Sequence, residues 1–194
     1  MQFSRYFLAL AISAGALTAC GSDSTDSTPS ASAGTLQLPP TTNGTDVEAW
    51  LAKGYYEKWA CETSSHPQIK VSPHGQNRIC SNDAIVGFTG AVGEERPKGS
   101  AAVKELYNDA AELVGYAVSV KLQDKSNGGA DWYWYERVPL SSGAPHDAKG
   151  VVADGPGSSG PAKSICVGCH AGAGSDTTMH SVNLSGDFVY DVIN

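Results

Sequence analysis

Near the end of the chain, Cys166-Val167-Gly168-Cys169-His170 sets two thiols three residues apart with an imidazole directly after the second. This is the C-x-x-C-H pattern of c-type haem attachment. Two thiols at that spacing can add to the two vinyl groups on one porphyrin edge, and the adjoining histidine then lies under the ring to bind iron. The chemistry expected is therefore one covalent haem c, held through Cys166 and Cys169 with His170 as iron ligand. Two alternatives compete. A zinc site calls for a further Cys or His pair at metal spacing, which Cys61 and Cys80 do not supply. A thioredoxin-like dithiol calls for a βαβ setting, which the surrounding pattern lacks.

The other cysteines fit an exported chain. Arg5 is the only charge in the first 20 residues, and Tyr6 to Leu17 is almost wholly apolar or small. That is the layout of a secretory signal, too short to span a bilayer comfortably. It ends in Leu17-Thr18-Ala19-Cys20, which resembles the lipobox of bacterial lipoproteins and so implies lipidation of Cys20. Gly21 is not the aspartate associated with inner-membrane retention, so the periplasmic face of the outer membrane is favoured over the inner membrane. Cys61 and Cys80 then remain, and two such cysteines in an oxidising compartment are expected to pair. The alternative is two buried free thiols.

The domains expected are a signal peptide at 1–19, a Ser/Thr/Pro/Gly-rich tether at 20–45 that buries too little to order itself, and a single haem domain at 46–194. Thr45-Asp46-Val47-Glu48 has capping-box spacing, and apolar residues follow it at helical intervals, predicting a helix over 46–60 weakened by Gly54. From Leu113 to Leu122 the pattern alternates: Val114, Tyr116, Val118, Val120 and Leu122 take one parity, Gly115, Ala117, Ser119 and Lys121 the other. Ala101 to Tyr107 and the aromatic Asp131 to Val138 read as further strands, with turn residues between them. Residues 77–92 suggest another strand and a short helix. Residues 139–163, rich in Gly, Ser, Ala and Pro, read as a long loop. The fold class expected is α+β: an antiparallel meander with flanking helices and a C-terminal haem-attachment segment. With 13 basic against 20 acidic residues, nucleic acid is not a fitting partner.

Ala102-Val103-Lys104-Glu105-Leu106, Gly115 to Lys121, Trp132 to Tyr135, and Cys166 to His170 followed by Ser175-Asp176 together resemble the cytochrome P-460 and cytochrome c′-beta family. The likeness covers roughly residue 46 onward. It implies a sheet-rich, often homodimeric domain whose haem has an open face for hydroxylamine, nitric oxide or other small nitrogen compounds and gases, with a periplasmic electron carrier as redox partner. Lys104 matches the lysine that cytochromes P-460 join to the porphyrin; its parity with Ala102 and Leu106 allows it to point inward. Arg78 matches a distal-pocket arginine. By residue type alone, each is an ordinary surface charge. One position departs. The acidic residue of hydroxylamine-oxidising members falls at Ala117 or Val118, so the general base is missing from that strand, which favours binding or slow chemistry; fast turnover would call for another acid, near Asp147 or Asp154. His66, His74, His146, His180 and Met179 read as surface or packing residues. The function expected is a haem protein that binds or oxidises small nitrogen species. Its rivals are a six-coordinate electron carrier and a haem sensor or scaffold without turnover.

Overall fold

The computed structural model describes residues 37–68, 74–90, 93–173 and 187–189. They belong to one compact unit, Thr35–Asn194. The signal segment, Cys20, Ser175, Asp176, Met179 and His180 lie outside the described residues, as does most of the tether.

Helix α1 (Gly44–Leu51) starts two residues before the expected capping box. Asn43 caps it: its side-chain oxygen accepts from the Asp46 amide at 3.0 Å, and Asp46 in turn accepts from the Asn43 side-chain amide at 2.9 Å. The N-cap therefore falls at Asn43 rather than Thr45, and the bond back from Asp46 goes to the Asn43 side chain rather than to its backbone amide as in a capping box. The helix ends at Leu51 rather than 60, because Gly54 takes a left-handed conformation (φ +64°) and a 3₁₀ turn, Tyr55–Lys58, follows.

Six strands form one antiparallel sheet in chain order: β1 (Ala60–Cys61), β2 (Gln76–Ser81), β3 (Ala101–Tyr107), β4 (Leu113–Lys121), β5 (Trp132–Arg137) and β6 (Val151–Pro156). A short helix α2 (Asp83–Val86), capped by Asn82, follows β2. The fold is therefore α+β, an antiparallel meander flanked by short helices. Strand β6 corrects the reading of 139–163 as loop. Gly155 and Pro156 disguise it, yet at a sheet edge a proline forfeits no ladder bond. Asp154 there accepts from the Tyr133 hydroxyl at 2.6 Å and the Gly44 amide at 2.7 Å, tying β6 to β5 and to α1.

Alternation gives the sheet two unlike faces. On one, Val103, Val118, Val120, Tyr133 and Tyr135 pack on Val47, Trp50, Leu51, Tyr56 and Trp59. Each such side chain contributes about 1.5–3 kcal/mol on burial. A disulfide joins Cys61 to Cys80 across β1 and β2 on this face. On the other face, Ile79, Lys104, Ala117, Glu136 and Ala153 form one row across five strands. Gly115 lies in β4 where a Cβ would come within 2.2 Å of the Arg137 carbonyl oxygen, so only glycine lets β4 and β5 approach there.

Candidate functional site

The second face is hollow where small side chains line it: Ala117 and Ser119 of β4, with Ala102 beside them on β3, leave open space below the elements packed above the sheet. The space left is a cavity with an empty volume of about 630 Å³, its open mouth included. Its roof is the C-terminal helical segment: a π-helical turn, Ala162–Val167, running into α3 (Gly168–His170). A π turn carries an extra residue and re-aims the side chains after it, a feature common at functional sites. Here it directs Cys166 inward, 6 % exposed, while Cys169 stays at the exposed rim.

Neither is in a disulfide. Burial, together with the nearby Glu136 charge, pushes the Cys166 thiol up to about 12, so it stays protonated and is a poor nucleophile at neutral pH. His170 packs edge-on against Trp134, with ring centroids 4.6 Å apart, and lies 6.4 Å from the His74 ring. Its Nδ1 is 2.8 Å from the Phe188 carbonyl oxygen. A carbonyl only accepts, so Nδ1 carries the proton and Nε2 is the acceptor nitrogen. Burial, reinforced by Lys104 and His74, pushes His170 down to about 3, which keeps the ring neutral.

Opposite the thiols, a polar chain crosses the sheet. Lys104 Nζ donates to His74 Nδ1 at 3.2 Å, and His74 Nε2 lies 3.4 Å from Glu136 Oε1. The second contact is electrostatic rather than a directed hydrogen bond, and Oε1 has no hydrogen-bond partner. Ala117 sits between Lys104 and Glu136 in the register, and its small side chain allows both to turn toward His74. Burial lowers the Lys104 amine below its usual range, against the pull of Glu136. Burial and the Lys104 charge likewise lower His74.

Four of the residues singled out in the sequence, Lys104, Cys166, Cys169 and His170, therefore meet in one cavity. Three others were missed: His74, read as surface or packing; Trp134, read only as strand-forming; and Glu136. The expected lack of a carboxylate is corrected by Glu136, which β5 supplies directly opposite Ala117. Its signal was its parity with Trp132 and Trp134 in a strand buried on both faces. Asp147 and Asp154 do not line the cavity. Arg78 is also corrected. It points to the other face, where its guanidinium bonds Glu105 at 2.6 and 3.0 Å beside the Tyr56 and Tyr107 hydroxyls. Burial would push the Glu105 carboxyl up, but the bonds from Arg78, Tyr107 and Tyr56 outweigh it and hold the group below its ordinary range.

The cofactor expectation is corrected as well. Among the described residues, no group of three or more His, Cys, Asp or Glu side chains is placed to hold a metal ion. The reading as a monohaem c-type cytochrome is withdrawn on that finding. With it go the haem c and the iron on His170, the chemistry on nitric oxide and hydroxylamine, and both haem-based rivals. Compared with family models, with curated proteins and with solved structures, the chain shows no match. Among the described residues no helix is long and apolar enough to cross a membrane.

Proposed function

We propose that this domain is a binding protein for a mid-sized, largely apolar organic ligand that enters the cavity between the sheet and the C-terminal helical segment. One observation carries the reading. Two buried polar atoms of cavity-lining residues, Glu136 Oε1 and Trp134 Nε1, have no hydrogen-bond partner. Buried polar groups are almost always paired, and an orphan calls for an occupant. Trp134 Nε1 as a donor, and Glu136 Oε1 as an acceptor that meets only the His74 ring at 3.4 Å, in a lining that is mainly apolar around the Lys104–His74–Glu136 chain, favour a ligand that brings one acceptor and one donor of its own.

The test is the mass of the full chain, exported under its own leader in a bacterial host. Under native conditions the mass is expected to exceed that of the processed, lipidated chain by the mass of the bound ligand. Ala117→Phe, which fills the floor of the hollow, is expected to abolish that excess, leaving the lipidated chain, while the fold persists. A native mass equal to that of the lipidated chain alone would overturn the reading.

A second reading adds chemistry to binding. It is favoured by the Lys104–His74–Glu136 chain, in which a neutral imidazole between an amine and a carboxylate is suited to passing a proton to or from a ligand. Glu136→Gln keeps the shape and removes the proton acceptor, so ligand turnover should fall while binding persists.

For location we propose export as a lipoprotein anchored through Cys20, supported by the lipobox-like Leu17-Thr18-Ala19-Cys20. Labelled palmitate should enter the wild-type chain and not Cys20→Ala. The likeness to the cytochrome P-460 and cytochrome c′-beta family enters this proposal for the sheet alone and not for a cofactor.

A further inference from the structure

The roof of the cavity is pinned by three residues from the far end of the chain, Asp187, Phe188 and Val189. Asp187 Oδ2 lies 2.6 Å from Lys121 Nζ, and the two side chains are 2 % and 0 % exposed. The same oxygen accepts from the Arg96 amide at 2.6 Å. Ser126 Oγ donates to the other carboxylate oxygen and accepts from Trp132 Nε1 at 2.9 Å. A buried carboxylate with this many donors can hold a backbone in an unfavourable shape. Asp187 and Phe188 both have positive φ, +43° and +63°, a region uncommon for non-glycine residues. Such conformations persist where their surroundings over-determine them. The product of that shape is the Phe188 carbonyl, turned to receive the Nδ1 proton of His170.

Lys121 closes the link to the cavity. It lies in β4 at the same parity as Ala117 and Ser119, so the strand that floors the hollow also fixes the clasp. We infer that Asp187 is a positioning residue for the cavity: paired with Lys121, it holds the Phe188 carbonyl against His170 and locks the imidazole as its Nδ1–H tautomer. The wall formed by His170 then carries one fixed tautomer, its Nδ1 proton directed at the Phe188 carbonyl. The inference rests on the ligand-binding reading for its purpose, but not for its test.

The test is nitrogen NMR of the full chain with labelled histidine, which distinguishes protonated from unprotonated ring nitrogens. In the wild type, His170 should show a single tautomer with Nδ1 protonated. Asp187→Asn alone leaves a buried ammonium without its partner and is expected to destabilise strongly. The informative protein is therefore Asp187→Asn combined with Lys121→Met, which removes both charges. It should keep the wild-type circular dichroism spectrum and the signals of His66 and His74, while His170 changes to a mixture of tautomers. Retention of the single Nδ1–H tautomer in the double variant would overturn the inference. So would a shift of every histidine signal together, which would mean that the clasp holds the fold and not the imidazole. The ligand reading depends on the native mass instead, so each can fail while the other stands.

Discussion

The two faces of the one sheet are built from the same six strands and have opposite characters. The face under α1 is closed: Trp50 lies within 6.2 Å, centroid to centroid, of Tyr55, Tyr56 and Trp59. Its tyrosine hydroxyls are bonded, Tyr56 to Glu105 and Tyr135 to Glu48, while Trp59 Nε1 has no hydrogen-bond partner. The face under the C-terminal segment is hollow, and its cavity lining holds two such atoms, Glu136 Oε1 and Trp134 Nε1. The difference comes down to side-chain volume at alternate positions. Valine and tyrosine fill one side of β4 and β5; alanine and serine leave the other side open around Lys104 and Glu136. Stability and function are thereby separated onto opposite sides of a single pleated layer.

The sharpest way to break that comparison is to hollow out the closed face. Trp50→Ala should cost about 3–5 kcal/mol, the usual cost of truncating a buried aromatic, read by urea unfolding. A loss below about 1 kcal/mol would mean that this face is not the source of stability. Next in size is the disulfide. Replacing Cys61 and Cys80 together by Ala frees a loop with a sequence separation of 19. The chain-entropy model expects a loss of about 3 kcal/mol, with ligand retention on the hollow face unaffected.

Acid should act through the hollow face. An unfolded histidine titrates near 6.5, whereas folded His170 resists protonation down to about 3. A group whose folded value is depressed stabilises fully above the unfolded value and loses that contribution as the pH falls from 6.5 toward 3. His74 shifts in the same direction. The melting temperature should therefore fall between pH 7.5 and 5, and His170→Gln should flatten the decline. An equally steep decline in that variant would place the titration elsewhere. The smallest effect expected is that of Arg78→Met. Its removal takes two charge-assisted bonds from the buried Glu105 but leaves it two tyrosine donors, so about 1.5–3 kcal/mol is lost and ligand binding stays within about twofold. A larger binding defect would return Arg78 to the cavity.

The closed face was largely legible in the sequence, because a strict apolar alternation such as Val114 to Leu122 is a local pattern. The hollow face was legible only where a motif marked it, at Cys166, Cys169 and His170, or where a resemblance did, at Lys104. Glu136 is marked only by its parity with Trp132 and Trp134, and His74 carries no local mark. They join the site through the pairing of β5 with β4 and of β2 with β3, and one strand's sequence says nothing about which residue faces it across the ladder. Strand β6 was hidden for a different reason, since edge strands accept the Gly, Asp and Pro that sequence rules assign to turns. The motif was also over-read: Cys-x-x-Cys-His specifies a spacing, while the chemistry it performs depends on what the folded surroundings assemble around it.

The meander has a further consequence, in the time the chain takes to fold. Every strand pairs with its neighbour in sequence, so the sheet can grow strand by strand with no crossover, a route that keeps contact order down and speeds folding. The bonds that finish the molecule are of another kind. Gly44 to Asp154 spans 110 residues, Arg137 to Glu48 spans 89, and Lys121 to Asp187 spans 66. A chain folding from its unfolded state would therefore form its sheet early and make these distant bonds late, with the cavity open until the last clasp shuts.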